Sequence, residues 1–343
     1  MTLQNYLQVM RPAVEADLQG FIGRSIPQHY PELHDMLAYH MGWQGEGAGP
    51  DAQGKRIRPL LVLLTAEAAG GQWQSALPAS TAVELLHNFS LIHDDIQDNS
   101  PLRRNRPTVW VKWGMPQAIN AGDVMFTLAF MAIQGLAASL PAQSVLDASR
   151  ILQETCLLLT QGQYLDISYE DKLSLSIEDY WRMIGGKTSA LLSCCAQLGA
   201  LAGGASDEQA AHFKEYGYSL GLAFQVLDDW LGIWGDVAQT GKSAESDLVS
   251  GKKTLPVLHG LSLDGPFAQR WLRGNITAED VPSLARMLED EGANTYALET
   301  AGRLTDQALN ALRKAVGDHP APGQADAAQA LEELTAMLLR RKN

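Results

Sequence analysis

The run His87-Asn88-Phe89-Ser90-Leu91-Ile92-His93-Asp94-Asp95-Ile96-Gln97-Asp98 closes an apolar stretch with three acids. Its period is helical, so Asp94 and Asp98 share one face and Asp95 is turned about 100° away. Two carboxylates stacked one turn apart repel each other unless a cation lies between them, and oxygen ligands suit Mg²⁺. A helix C-terminus also disfavours negative charge. Acids placed against that dipole, beside a buried-looking stretch, point to metal binding rather than to a solvated helix end. A second cluster, Asp228-Asp229, closes another apolar helix that runs on through Trp230-Leu231-Gly232-Ile233-Trp234-Gly235-Asp236. Position four after Asp228 is Gly232, and Asp236 falls eight residues on. Facing each other, two aspartate-tipped helices would hold several divalent ions around one polyanion.

Cations stand where such a polyanion would need them. Gly54-Lys55-Arg56-Ile57-Arg58-Pro59 opens an apolar helix, and Leu102-Arg103-Arg104-Asn105-Arg106 follows the first acidic cluster. Lys187 comes after Gly185-Gly186, read here as a helix start whose backbone N–H groups favour phosphate. Lys242, Lys252 and Lys253 follow the second cluster. Together these groups point to two phosphate-bearing substrates with Mg²⁺.

The elements that must position them are helices. Residues 57–69, 76–98, 116–140, 143–170, 187–203 and 207–234 are apolar at three-and-four spacing or nearly all round. Strand runs with hairpin turn signals are missing, so the fold class is all-α. Several helices read as fully buried, which implies a central bundle wrapped by others. Gly42–Gly54, Asn99–Pro107 and Gly235–Lys253 read as loops. The whole chain, 1–343, reads as one domain, with outer helices over 261–343 and an amphipathic tail, Ala327–Asn343, ending in Arg340-Arg341-Lys342. The small-residue face from Ser189 to Gly204 could pack within the subunit or across a dimer. No role follows for residues 1–40.

Charge and composition narrow the function. With 26 Lys+Arg against 39 Asp+Glu the net charge is −13, which argues against nucleic acid and anionic membranes as main partners. Cys156, Cys194 and Cys195 make an odd count that suits a reducing compartment. No secretory signal is read at the N-terminus. The most apolar stretch, Val124–Leu140, is short of a bilayer span and reads as a core helix. A soluble, cytoplasmic protein is expected.

In combination and in order, GKRIRP, LIHDDIQD, LRRNRPT, GQYLD, GGKTSALL, FQVLDDW and GKKTLP resemble the trans-prenyl diphosphate synthases, or polyprenyl synthetases, over about 54–258. The resemblance is greatest to short-chain geranylgeranyl diphosphate synthases. It implies an isoprenoid-synthase-type helical bundle with a central cavity between the aspartate-tipped helices. It also implies Mg²⁺-dependent head-to-tail addition of isopentenyl diphosphate to an allylic diphosphate (dimethylallyl, geranyl or farnesyl), and a homodimer. By motif position Asp94, Asp98 and Asp228 would be the main Mg²⁺ ligands, with Asp95, Asp229 and Asp247 supporting through water and Asp166 a further metal candidate. Arg103, Lys187 and Lys252 would hold the allylic diphosphate, with Lys242 nearby. Lys55, Arg58, His87 and Arg104 would hold isopentenyl diphosphate. Gln163, Asp166, Thr188 and Gln225 would line the reaction centre.

Many relatives carry Asp where this chain has Gly232. The spacing of Asp228, Gly232 and Asp236 partly matches class I terpene cyclases, which makes a cyclase one rival reading. A non-catalytic partner subunit is another. An allylic tail growing from Asp94 would pass Ser90, Phe89 and Leu86, and an aromatic five residues before the motif resembles the C20 makers.

Overall fold

The computed structural model describes residues 1–170, 172, 174–235 and 245–339. Asp236, Lys242 and the tail's Arg340-Arg341-Lys342 lie outside the described residues. The chain groups into two compact units. The first comprises 1–156, 194–213 and 315–331, and the second 157–193, 214–314 and 332–343.

In the first unit α5 (Leu77–Gln97) starts with Pro78 in its first turn, where a missing N–H costs nothing. Its inner positions Ala82, Val83, Leu85 and Leu86 are fully buried. It lies most extensively along α7 (Met115–Ile133), whose facing side is small: Ala118, Ala121 and Gly122. A Cβ on Gly122 would stand 2.2 Å from His93 Nε2, so the absent side chain is what admits the imidazole. α4 (Ile57–Ala68) is buried nearly all round and also packs on α5. Each of its leucines, removed from water, contributes about 1.5–3 kcal/mol. The C-terminal half of α10 (Ala190–Ala202) closes on α4, and a Cβ on Gly199 would lie 2.3 Å from Val62 O. That part of the small-residue face therefore packs within the unit.

α1 (Leu3–Ser25) presents Tyr6, Met10, Val14, Leu18 and Ile22 as one buried stripe toward α4 and α5. α2 (Pro31–His40) and the short α3 (Pro50–Gln53) lead into Arg56, whose φ of 52° is left-handed. Arg56 is held by three partners. Its Nε donates to Glu15 Oε1 at 2.6 Å, Nη1 to Glu84 Oε1 at 2.7 Å and Nη2 to Met41 O at 3.1 Å. This buried network fixes the chain between Lys55 and Arg58.

The loop after α5 is more ordered than the sequence implies. β1 (Leu102–Arg103) and β2 (Arg106–Pro107) form an antiparallel hairpin, with Arg104 and Asn105 at φ of 52° and 61° in its turn. Two consecutive positive-φ residues are what a two-residue hairpin needs, and Asn tolerates that region well. α6 (Val109–Trp113) then leads into α7. The helix and 3₁₀ turn over Met115–Ala138 are long and apolar enough to cross a membrane, but 44% of that stretch is buried inside the protein.

In the second unit α8 (Ala142–Glu170) contributes its residues from 157 onward. α9 (Ile177–Ile184) opens on a capping box, Ser176 with Asp179. The helix expected to start near Lys187 does not start there. A π-turn over Gly185–Ser189 links α9 directly to α10, with the Ala190 N–H donating to Gly185 O. The glycines serve close packing instead of a break: a Cβ on Gly186 would meet Leu158 O at 2.7 Å, and one on Gly162 would meet Lys187 N at 2.1 Å. The Lys187 N–H is thus inside a helical run rather than pointing from a free helix end.

α11 (Asp207–Trp234) runs through this unit from Lys214 and is followed by α12 (Glu245–Val249) and α13 (Leu255–Ser262). Beyond these lie α14 (Pro266–Trp271), α15 (Val281–Asp290), α16 (Ala293–Val316) and α17 (Pro322–Leu339). Tyr180, Ile184, Ala223, Val226, Leu255 and Ala297 form one core cluster. Ile233, Leu248, Val257, Phe267 and Leu284 belong to a second. The three cysteines are buried, and none is in a disulfide.

Candidate active site

The first unit gathers one acidic and one basic set. Asp94 is half-buried and Asp98 exposed at the end of α5. Asp95 is 2% exposed, and both its oxygens accept from Arg103 Nε at 2.9 Å, with Arg103 Nη2 2.8 Å from Oδ1. Burial pushes the Asp95 carboxyl up, and the Arg103 guanidinium opposes that shift. Asp95 is therefore occupied in holding Arg103, while Asp94 and Asp98 keep a common outward face.

The hairpin turn aims Arg104 back toward α3, where its Nη1 donates to Ala52 O at 2.7 Å. Its guanidinium lies over Gly54, so close that a Cβ there would stand 2.9 Å from Cζ. Arg58 Nη1 is 3.1 Å from His87 Nε2. Because Arg58 can only donate, Nε2 is the acceptor and the proton of a neutral His87 sits on Nδ1. Burial, followed by the charges of Arg58, Arg104 and Arg103, holds His87 well below the usual imidazole range. Arg58 Nε is buried with no acceptor among the described residues. Several cations packed round a buried donor without an acceptor form a receptor for a multiply charged anion. Lys55 is exposed beside this group.

Below Asp94 the side chains turn aromatic. Ser90 donates to His87 O at 2.8 Å. Phe89 meets Phe126 at 5.0 Å between ring centroids, and Phe126 meets Phe130 at 4.9 Å. Leu86 is fully buried in the core. Of the three side chains the sequence assigns to the tail's path, Phe89 and Ser90 are half-buried beside α7. Phe126 and Phe130 were not singled out, because helical periodicity does not say which neighbour an aromatic will face.

In the second unit the Lys187 ammonium pairs with the Asp166 carboxylate. Asp166, a metal candidate on sequence grounds, is thus a cation's partner. Gln163 is half-buried one turn earlier on α8. Thr188 Oγ1 donates to Gln225 Oε1 at 2.7 Å, and Gln225 Nε2 donates to Asp229 Oδ1 at 3.0 Å. Asp229 Oδ2 accepts from Tyr180 Oη at 2.7 Å and from the Leu255 N–H at 3.2 Å. Asp229 is 6% exposed, and burial pushes its carboxyl up to about 7 against the opposing effect of those three hydrogen bonds. Its oxygens are turned into the unit and engaged there by Tyr180, Gln225 and the Leu255 N–H. Asp228 is half-buried on another face of α11.

The place of the second cluster's missing third acid, at Gly232, is filled from elsewhere. A Cβ on Gly232 would stand 2.1 Å from Asp247 Oδ2. Asp247, on α12, lays its carboxylate against the bare backbone of Gly232. Of the adjacent lysines, Lys252 is exposed, while Lys253 Nζ donates at 3.0 Å to Tyr169 O and at 3.0 Å to Glu170 O near the end of α8.

Carboxylate oxygens suit a hard cation such as Mg²⁺. In the first unit Asp94 and Asp98 are at least partly open to solvent, and in the second unit so is Asp228. Among the described residues no three acidic, imidazole or thiol side chains converge on one point.

Known proteins resemble this chain over most of its length. A family model described as polyprenyl synthetase matches residues 49–289. A (2E,6E)-farnesyl diphosphate synthase of Mycobacterium tuberculosis is 39% identical, with 85% of this chain and 83% of that one covered. A geranylgeranyl diphosphate synthase of Saccharolobus solfataricus is 40% identical, over 77% of this chain and 80% of its own. The crystal structure of a geranylgeranyl pyrophosphate synthetase from Pyrococcus horikoshii matches with a TM-score of 0.85 and 32% identity, over 98% of both chains.

Proposed function

Because this chain belongs to the polyprenyl synthetase family, and so is a prenyltransferase, we propose that it joins isopentenyl diphosphate head-to-tail to allylic diphosphates and makes geranylgeranyl diphosphate. The observation that carries the reading is the group of Arg58, His87, Arg103 and Arg104 beside Asp94 and Asp98 in an acidic protein. Only a polyanion with its own divalent cations suits both sets at once. The family names and the intact Asp94-Asp95-Ile96-Gln97-Asp98 motif favour this over a terpene cyclase or a non-catalytic subunit.

Arg103, Lys187 and Lys252, with Lys242, hold the allylic diphosphate. Lys55, Arg58, His87 and Arg104 hold isopentenyl diphosphate. Asp94 and Asp98, and Asp228 in the second unit, would hold Mg²⁺, whose charge would neutralise the departing diphosphate. Thr188 and Gln225 offer dipoles to the allylic cation without a nucleophile strong enough to trap it. The half-buried aromatics and the apolar faces around them exclude water. The double bond of isopentenyl diphosphate then attacks, and loss of a proton to the released diphosphate restores neutrality. Phe89, backed by Phe126, limits the tail at C20.

The whole chain acts as one catalytic domain in this reading, and as a homodimer. Met115, Ile119 and Met131 on α7 and Leu146 on α8 leave large apolar side chains exposed, as an interface does. A cytoplasmic location is proposed from three cysteines that form no disulfide, as suits a reducing compartment.

The test is product analysis. Protein is incubated with isopentenyl diphosphate plus dimethylallyl, geranyl or farnesyl diphosphate, in Mg²⁺ or EDTA. A C20 diphosphate that needs both substrates and Mg²⁺ is expected. Hydrocarbon from one allylic substrate, or no turnover, would overturn the reading.

A further inference from the structure

We infer that Asp229 and Tyr180 are positioning residues for prenyl transfer, which hold the Gln225 amide and the segments next to Lys187 and Lys252 in place. The inference rests on the prenyl-transfer reading and goes further in assigning a role to Tyr180, which no motif marks.

The carboxylate of Asp229 has no open side. One oxygen accepts from Gln225 Nε2 at 3.0 Å, and the other from Tyr180 Oη at 2.7 Å and Leu255 N at 3.2 Å. Three donors around one buried carboxylate satisfy it and leave little room for a cation. What they join is informative. Tyr180 lies on α9, which runs into the π-turn carrying Lys187 and Thr188. Leu255 is the first residue of α13, three after Lys252. Gln225 is on α11 and accepts from Thr188 Oγ1 at 2.7 Å. One carboxylate thus anchors α11, which carries Gln225, together with α9, which leads into the turn carrying Lys187, and the start of α13, which follows Lys252.

The network also fixes the Gln225 amide. An ionised Asp229 can only accept, so in that state Nε2 faces the carboxylate and Oε1 is left to accept from the Thr188 hydroxyl. A freely rotating amide would present either pole to a developing cation, and a locked one presents the same pole at every turnover. Tyr180, 1% exposed, holds Asp229 from the far side and keeps that lock in place.

The experiment measures kcat, the Mg²⁺ concentration for half-maximal rate and the melting temperature of Tyr180→Phe, Asp229→Asn and Asp228→Asn proteins. Turnover by the unaltered enzyme in the same assay first establishes the reading on which the inference stands. For Tyr180→Phe and Asp229→Asn, kcat should fall by about ten- to a hundredfold, the cost of a small misplacement at a reacting centre. Their Mg²⁺ requirement should stay within about twofold of normal, whereas Asp228→Asn should raise it by about tenfold or more. Thr188→Val should reproduce the kcat loss and Thr188→Ser should restore it. An Asp229→Asn enzyme whose Mg²⁺ requirement rises as far as that of Asp228→Asn would overturn the inference. So would Tyr180→Phe protein that loses melting temperature but no kcat. Should Asp229→Asn not fold, the single-hydroxyl change in Tyr180→Phe decides.

Discussion

Restoring the commoner acid at position 232 should damage this protein, because the space is already taken. On an isolated helix, Gly→Ala gains about 1 kcal/mol of helix propensity. Here the new Cβ would stand 2.1 Å from Asp247 Oδ2 and 3.0 Å from its Cγ, well inside contact distance. Asp247 cannot simply withdraw with its backbone, since the next residue, Leu248, is fully buried and packs with Val257 and Phe267. Overpacking costs about 1–3 kcal/mol where neighbours cannot move, but the atom met here is the tip of a side chain that can turn aside, so Gly232→Ala should be near neutral after the propensity gain. Gly232→Asp adds a like charge. Two carboxylates about 4 Å apart repel by about 1 kcal/mol in water and about 4 kcal/mol at an effective dielectric of 20. The assay is a double-mutant cycle of Gly232→Asp and Asp247→Ala by denaturant unfolding in EDTA, with and without Mg²⁺ plus inorganic diphosphate. A coupling of about 1–3 kcal/mol is expected, with the double variant more stable than Gly232→Asp alone. Mg²⁺ with diphosphate should reduce the penalty of Gly232→Asp, since a cation between two acids turns repulsion into attraction. Coupling below about 0.5 kcal/mol would refute the reasoning, because the two side chains would then not compete for one place.

Truncating Arg56 to Met strands Glu84, which is 3% exposed, and should cost about 3–5 kcal/mol, seen as a lower unfolding midpoint. His40 and His87 are both held well below the ordinary imidazole range, by burial first and then by neighbouring arginines. The unfolded chain takes up those protons below about pH 6.5 and the folded chain does not, so stability is full above that pH and falls as pH drops. The loss should reach up to about 1.4 kcal/mol per pH unit for each histidine, and denaturant midpoints for His87→Gln should show a shallower slope. Phe89→Ala should lengthen the products beyond C20, and adding Phe126→Ala should lengthen them again, because the second ring backs the first at 5.0 Å. Chromatography of dephosphorylated products checks both, and unchanged lengths would place the floor elsewhere.

Several features were legible from residue order alone because they depend on neighbours along the chain. The helical period around 77–97 and 207–234 placed α5 and α11, and the i, i+4 spacing put Asp94 and Asp98 on one outward face. The ordered motifs identified the chemistry, since a diphosphate and Mg²⁺ need cations and carboxylates of those types whatever their exact placement.

What the linear pattern left open depends on contacts across the fold. Asp94 and Asp95 are chemically identical and adjacent, as are Asp228 and Asp229. Only the partners brought up by the hairpin, by α9 and by α13 decide that the second of each pair is turned inward. Gly185-Gly186 reads as a break, yet the close approach of Leu158 O and Gly162 makes it a packing surface inside a helical run. The gap at Gly232 reads as a lost ligand until Asp247, fifteen residues later, is found lying against it. Local sequence determines which chemistry the chain carries, because periodicity and residue type are local properties. Tertiary structure decides which of two like groups performs it, because burial and hydrogen-bond partners come from distant segments.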